Sequence, residues 1–173
     1  MFDEILGLPA HPLMVHAPVV LIPLTVLTAV VYGLVPPLRQ RLGLLLVLFA
    51  LAGAGTAYAA TQSGARFAEK LGGVTPVIAE HRDFGDMLRN LALLLALVAL
   101  LLVVVDRARH RRRRLQFADD GSPHTYATAR SGGMLLGVVS VILTLGLLGV
   151  AGTAGYYVYQ AGHSGAKMVW GNQ

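Results

Sequence analysis

"RNLALLLALVALLLVVVDRARHRRRR", residues 89–114, runs without a charge from 90 to 105 and then turns abruptly into a row of arginines. A bilayer's hydrocarbon core, about 30 Å thick, takes about 20 mainly apolar residues in a helix. This stretch therefore predicts a membrane span ending in a basic anchor. Comparable charge-poor stretches lie at 15–38, broken only by His16, at 42–65 and at 131–162. Four spans fit, at about 17–35, 42–61, 87–105 and 134–157.

The bulk composition agrees. The 173 residues are 55% hydrophobic and 13% charged, about half the roughly 25% charge of a soluble domain. The expectation is an all-α, four-helix transmembrane bundle forming one domain over 1–173, with a basic loop at 106–130. "MFDEILG" lacks the basic region of a secretory signal, so the first span is expected to act as its own insertion signal. There are no cysteines, which excludes disulfides, iron–sulfur clusters, thiolate zinc sites and covalent c-type haem attachment.

Arginine placement predicts orientation, because basic loops are retained on the cytoplasmic side. Arg39, Arg41 and seven arginines between Arg107 and Arg130, with Asp106, Asp119 and Asp120, give one side a net +6. The other side carries Arg66, Lys70, Arg82, Arg89 and Lys167 against six acids, a net −1. Both termini and the 62–86 connection are thus expected on the outer, non-cytoplasmic side. The segment "ARFAEKLGG" reads as a short amphipathic piece at the membrane surface or an ordinary connector.

That orientation gathers four of the six histidines on one rim: His11 and His16 before span one, His81 before span three and His163 after span four. Imidazoles borne by different helices are ligands for haem iron, copper or zinc. His16 and His81 form the favoured axial pair for a b-type haem, with His163 as the alternative partner. His11 is then a supporting or solvent-facing group. Gly146, Gly149 and Gly152 continue through Tyr156 toward His163 at helical spacing, and Gly85 lies one turn beyond His81. These residues would seat a flat macrocycle, although small residues on membrane helices also serve helix–helix contact. Glu80, Asp83 and Asp86 favour a helix N-terminus; a carboxylate orienting His81 is the weaker reading. The tyrosines and Trp170 read as an interfacial aromatic belt.

The arginine run anchors topology and can contact anionic lipid at Arg107–Arg114. No aromatic or folded module accompanies it, so nucleic acid is not an expected partner. No internal repeat, nucleotide-binding loop, Ser–His–Asp set or metalloprotease motif stands out.

"GLPAHPLMVHAPVVLIPL", residues 7–24, resembles the opening of an uncharacterised bacterial membrane family, domain of unknown function 2231. The matching residues are His11, Pro12, His16 and Pro18, followed by His81 and the closing "GHSGAKMVW". Ala17 stands where that family usually has an aromatic. The resemblance implies a four-helix membrane bundle in a bacterial inner membrane. Some relatives are joined to c-type cytochrome modules, which points to redox chemistry by association. Taken together, the expected function is electron transfer, or a subunit role in a respiratory assembly, rather than stand-alone catalysis. The expected partners are the bilayer and a membrane redox protein or a second copy. The alternatives are a cofactor-free scaffold and an outer-side metal or pH sensor.

Overall fold

The computed structural model describes residues 4–5, 8–70, 72–118 and 126–171. A two-residue antiparallel pair, β1 (Glu4–Ile5) with β2 (Leu8–Pro9), precedes an otherwise helical chain. Its helices are α1 (Ala10–Met14), α2 (His16–Leu34), α3 (Arg39–Lys70), α4 (Pro76–Ala118) and α5 (Tyr126–Trp170). Four helical stretches, Ala10–Leu34, Pro36–Lys70, Pro76–Arg112 and Gly133–Met168, are long and apolar enough to cross a membrane.

Local chemistry sets the boundaries. Pro18 sits in the first turn of α2, where the missing amide hydrogen would have had no helical partner. Pro36 and Pro37 end α2, since a residue before proline is pushed out of the helical region; Val35 lies at φ −118°, ψ 79°. Gly72 and Gly73 turn the chain between α3 and α4 at φ 93° and 118°, a conformation that penalises any side chain. Thr75 then caps α4, its Oγ1 accepting from the Ile78 amide at 3.4 Å, with Pro76 pre-set at the first helical position.

Two connections come out shorter than the sequence suggests. The expected loop at 106–130 is helical at both ends: α4 continues to Ala118 and α5 begins at Tyr126. Arginine is among the better helix formers, so the basic run prolongs the helix past its apolar stretch. "ARFAEKLGG" is likewise no separate surface piece, because α3 runs unbroken to Lys70. His124 lies outside the described residues.

The helices pack in a ring, α2 on α3, α3 on α4, α4 on α5 and α5 back on α2, so both chain ends share one rim. The centre is filled by small side chains, among them Ala29, Ala50, Ala54, Ala57, Ala99, Ala151 and Ala154, around Ile22, Leu46, Leu95, Leu102 and Leu147. Lipid tails are as apolar as leucine, so association rests on close backbone approach rather than on sequestering grease. The large apolar residues accordingly face outward: Leu135, Ile142 and Leu145 are 66%, 62% and 65% exposed.

Ala99 is fully enclosed. Ala99→Leu should destabilise the bundle by about 1–3 kcal/mol through overpacking, whereas Leu97→Ala on the outer face should change stability by no more than about 0.5 kcal/mol. Thermal unfolding in detergent, followed by circular dichroism, measures both.

Candidate functional site

The rim bearing the chain ends brings together two of the four histidines singled out in the sequence. His11 of α1 and His81 of α4 face each other across the bundle, ring centres 6.4 Å apart and planes at 78°. His11 Nδ1 lies 3.0 Å from the Ala60 carbonyl oxygen and 3.2 Å from Ser63 Oγ on α3. His81 Nδ1 lies 2.9 Å from Ser164 Oγ on α5.

Each serine hydroxyl already donates to a carbonyl one turn back, Ser63 to Ala60 at 2.9 Å and Ser164 to Ala161 at 3.1 Å. The Ala60 carbonyl can only accept, so it places the ring proton of His11 on Nδ1; the same tautomer follows at His81 when Ser164 donates to Ala161, and in that tautomer Nε2 carries the lone pair. Glycine makes room for both rings. A Cβ on Gly64 would stand 2.9 Å from His11 Cε1, and one on Gly165 3.3 Å from His81 Cε1. Phe67 stacks on the outer side of His11, 6.1 Å between centres.

The two half-sites repeat one pattern that the sequence reading missed. Ala60-Thr61-Gln62-Ser63-Gly64-Ala65-Arg66 matches Ala161-Gly162-His163-Ser164-Gly165-Ala166-Lys167 at alanine, serine, glycine, alanine and the closing base. In each case the histidine comes from the start of one hairpin and the Ser-Gly pair from its end. The signal lay in the chain as two short AxxSGA segments about a hundred residues apart. They are too brief to notice without the contact that unites them.

The favoured pair, His16 with His81, is not assembled. His16 opens α2 after the break at Val15 and is exposed, while α1 carries His11 inward. His163 is also exposed and stacks on Tyr159, 5.7 Å between centres. The reason is helical phase. The buried face of α5 runs Ser140, Thr144, Leu147, Ala151, Ala154, Ser164, so Ser164 points in, and His163 one step earlier points out.

The same phase turns the glycine stripe away. Gly146, Gly149 and Gly152 are exposed, with no atom within 4 Å of where a Cβ would stand. Tyr156 is 56% exposed. Gly85 instead faces α3, where a Cβ added to it would stand 3.8 Å from the Thr61 methyl. Among the described residues no carboxylate is bonded to His81 either: Asp86 pairs with Arg89 at 2.8 Å and Arg82 at 3.8 Å. Among the described residues, no group of three His, Asp or Glu side chains is placed to hold a metal ion.

The opposite rim holds a second cluster that charge counting alone did not reveal. Asp106 is 5% exposed, and its carboxylate accepts from Tyr32 Oη at 2.9 Å, Ser140 Oγ at 2.7 Å and Arg39 Nη1 at 3.2 Å. Arg109 stands 3.6 Å away. Arg39 also donates to the Tyr32 and Gly33 carbonyls, both at 3.0 Å, and to Thr144 Oγ1 at 3.3 Å. One guanidinium thus neutralises the acid and satisfies two orphan carbonyls at the end of α2. Among the described residues no buried side-chain polar atom lacks a partner.

An antiparallel ring of four apolar helices, with its charged groups at the ends and its mid-span threonines bonded to carbonyls of their own helices, is the architecture of a membrane bundle. The chain belongs to the family described as Predicted membrane protein (DUF2231), whose model matches residues 7–173. No curated protein and no solved structure matches the chain.

Asp106→Ala should cost about 3–5 kcal/mol, because it strands the buried Arg39 charge. Tyr32→Phe, which removes one hydrogen bond, should cost only about 0.5–1.5 kcal/mol. Thermal unfolding of the two variants side by side in detergent checks the order.

Proposed function

We propose that His11 and His81 are the two protein ligands of a redox metal centre, with b-type haem iron first and copper second. One observation carries the reading: two imidazoles 6.4 Å apart, each anchored through Nδ1 with Nε2 left to bind. Metal-ligating histidines are oriented this way, the far nitrogen donating to a carbonyl or hydroxyl so that ring and tautomer are fixed.

With bonds of about 2.0–2.1 Å and roughly 1 Å from nitrogen to ring centre, the 6.4 Å separation is short enough for both imidazoles to reach one metal ion, which His11 and His81 would hold. The remaining positions would come from the macrocycle, water or a partner protein. A centre of this kind would supply one-electron transfer; the chain's own part is to hold the two rings against Gly64 and Gly165, with Phe67 stacked on His11.

Arginine asymmetry supports a place for this rim on the outer side of a bacterial inner membrane. The role that follows is passing electrons to an outer acceptor, or serving as a subunit of a respiratory assembly.

A cofactor-free scaffold is the second reading, favoured by one observation. The histidines already pin α1 to α3 and α4 to α5 through their hydrogen bonds.

The purified protein should show a Soret band that sharpens and shifts with dithionite, or about one bound copper by elemental analysis. His11→Ala and His81→Ala should abolish it, while the exposed His16→Ala and His163→Ala retain it. Ser164→Ala should weaken the affinity about 10- to 100-fold. A colourless, metal-free protein in which His11→Ala and His81→Ala lower only thermal stability would establish the scaffold instead. Reporter fusions at the C-terminus should be active only when the reporter matures outside the cytoplasm.

A further inference from the structure

Above the Asp106 cluster, between the start of α3 and the basic end of α4, lies a cavity of about 390 Å³ lined in part by Arg39, Gln40, Arg107, His110, Arg111 and Arg114. The α4 members fall at spacings of three and four and so share one helical face. Arg39 is committed to Asp106 at 3.2 Å. Arg107, Arg111 and Arg114 have no ion pair with any described residue. Gln40 Nε2 lies 3.1 Å from His110 Nδ1 and 3.5 Å from its Nε2, so the two side chains are held together at the cavity wall.

A topology anchor needs only positive charge, which Arg109 and Arg112 also supply from outside the cavity lining. Like charges at i, i+4 repel by a few tenths of a kcal/mol, so gathering three of them around one concavity works against the helix unless an anion sits between. We propose that this cavity binds a phosphate group, presented by an anionic phospholipid or by a soluble phosphate ester. Guanidinium forks match phosphate oxygens in bidentate fashion. The volume lies within the range of about 300–1,000 Å³ typical of small-ligand sites and leaves room for the group that carries the phosphate. Val103 and Gly43 line the same cavity, so it lies at the end of the apolar stretch, at the depth of lipid headgroups. The inference stands apart from the histidine reading, since it concerns the opposite rim.

The full chain, purified in a neutral detergent, is titrated with phosphatidylglycerol and with phosphatidylcholine under native mass spectrometry. Calorimetry with inorganic phosphate and with glycerol 3-phosphate runs alongside. Saturable binding of one phosphatidylglycerol per chain is expected, weakened about tenfold by Arg111→Gln and by Arg114→Gln. Arg112→Gln, which removes the same charge from outside the cavity lining, should change it less than about twofold. If glycerol 3-phosphate binds one to one with the same arginine dependence and displaces the lipid, the phosphate site stands and its source is soluble. Equal weakening by Arg111→Gln and Arg112→Gln would show a charge-only anchor and overturn the proposal. So would the lack of saturable binding by all of these probes, with helix content unchanged by circular dichroism.

Discussion

The carboxylate of Asp106 is the point at which all four long helices meet through polar contact. It projects from α4 and accepts hydrogen bonds from Tyr32 on α2, Arg39 on α3 and Ser140 on α5. In a medium where apolar surface gains nothing by turning inward, such a tie fixes depth and rotation as alanine packing alone does not. Interhelical hydrogen bonds in membranes are individually weak, averaging about 0.6 kcal/mol. A buried charge such as Asp106, with Tyr32 and Ser140 buried beside it and Arg39 largely so, behaves differently, because removing one charged member leaves the other uncompensated. The register set at this rim carries along the ring to the far one.

At that far rim, register decides chemistry. The rotation of α5 that delivers Ser140 to Asp106 also delivers Ser164 to His81 and sends His163 outward. Two hairpins, each with a histidine near its beginning and a Ser-Gly pair near its end, set their half-sites against each other. The glycines matter because of what they leave out, since even one methyl group at Gly64 would press into the ring it supports.

The two rims therefore differ in kind. One offers neutral imidazole nitrogens in a sheltered, aromatic-covered position; the other offers surplus guanidinium charge around a cavity beneath which every buried polar atom is paired. Between them lies a mainly apolar core of alanines and larger aliphatic residues, in which the buried Thr25 and Thr28 hydroxyls bond only to carbonyls of their own helix.

Length, the charge-free stretches and the arginine run were enough to read a helical chain with four helices long and apolar enough to cross a membrane, because the cost of bare backbone and charge in lipid leaves few other solutions. The histidine-rich rim was legible because antiparallel neighbours bring alternate helix ends together. Which histidines meet was not legible. His11, His16, His81 and His163 are alike in sequence, and only helical phase, fixed by contacts such as those of Asp106 and Ser164 between residues far apart in the chain, turns the first and third inward and the others out. The AxxSGA pair and the Tyr32–Arg39–Asp106–Ser140 cluster were equally present in the letters. They acquire meaning only when packing sets them side by side, since a side chain's orientation about its helix is decided by the neighbours it meets.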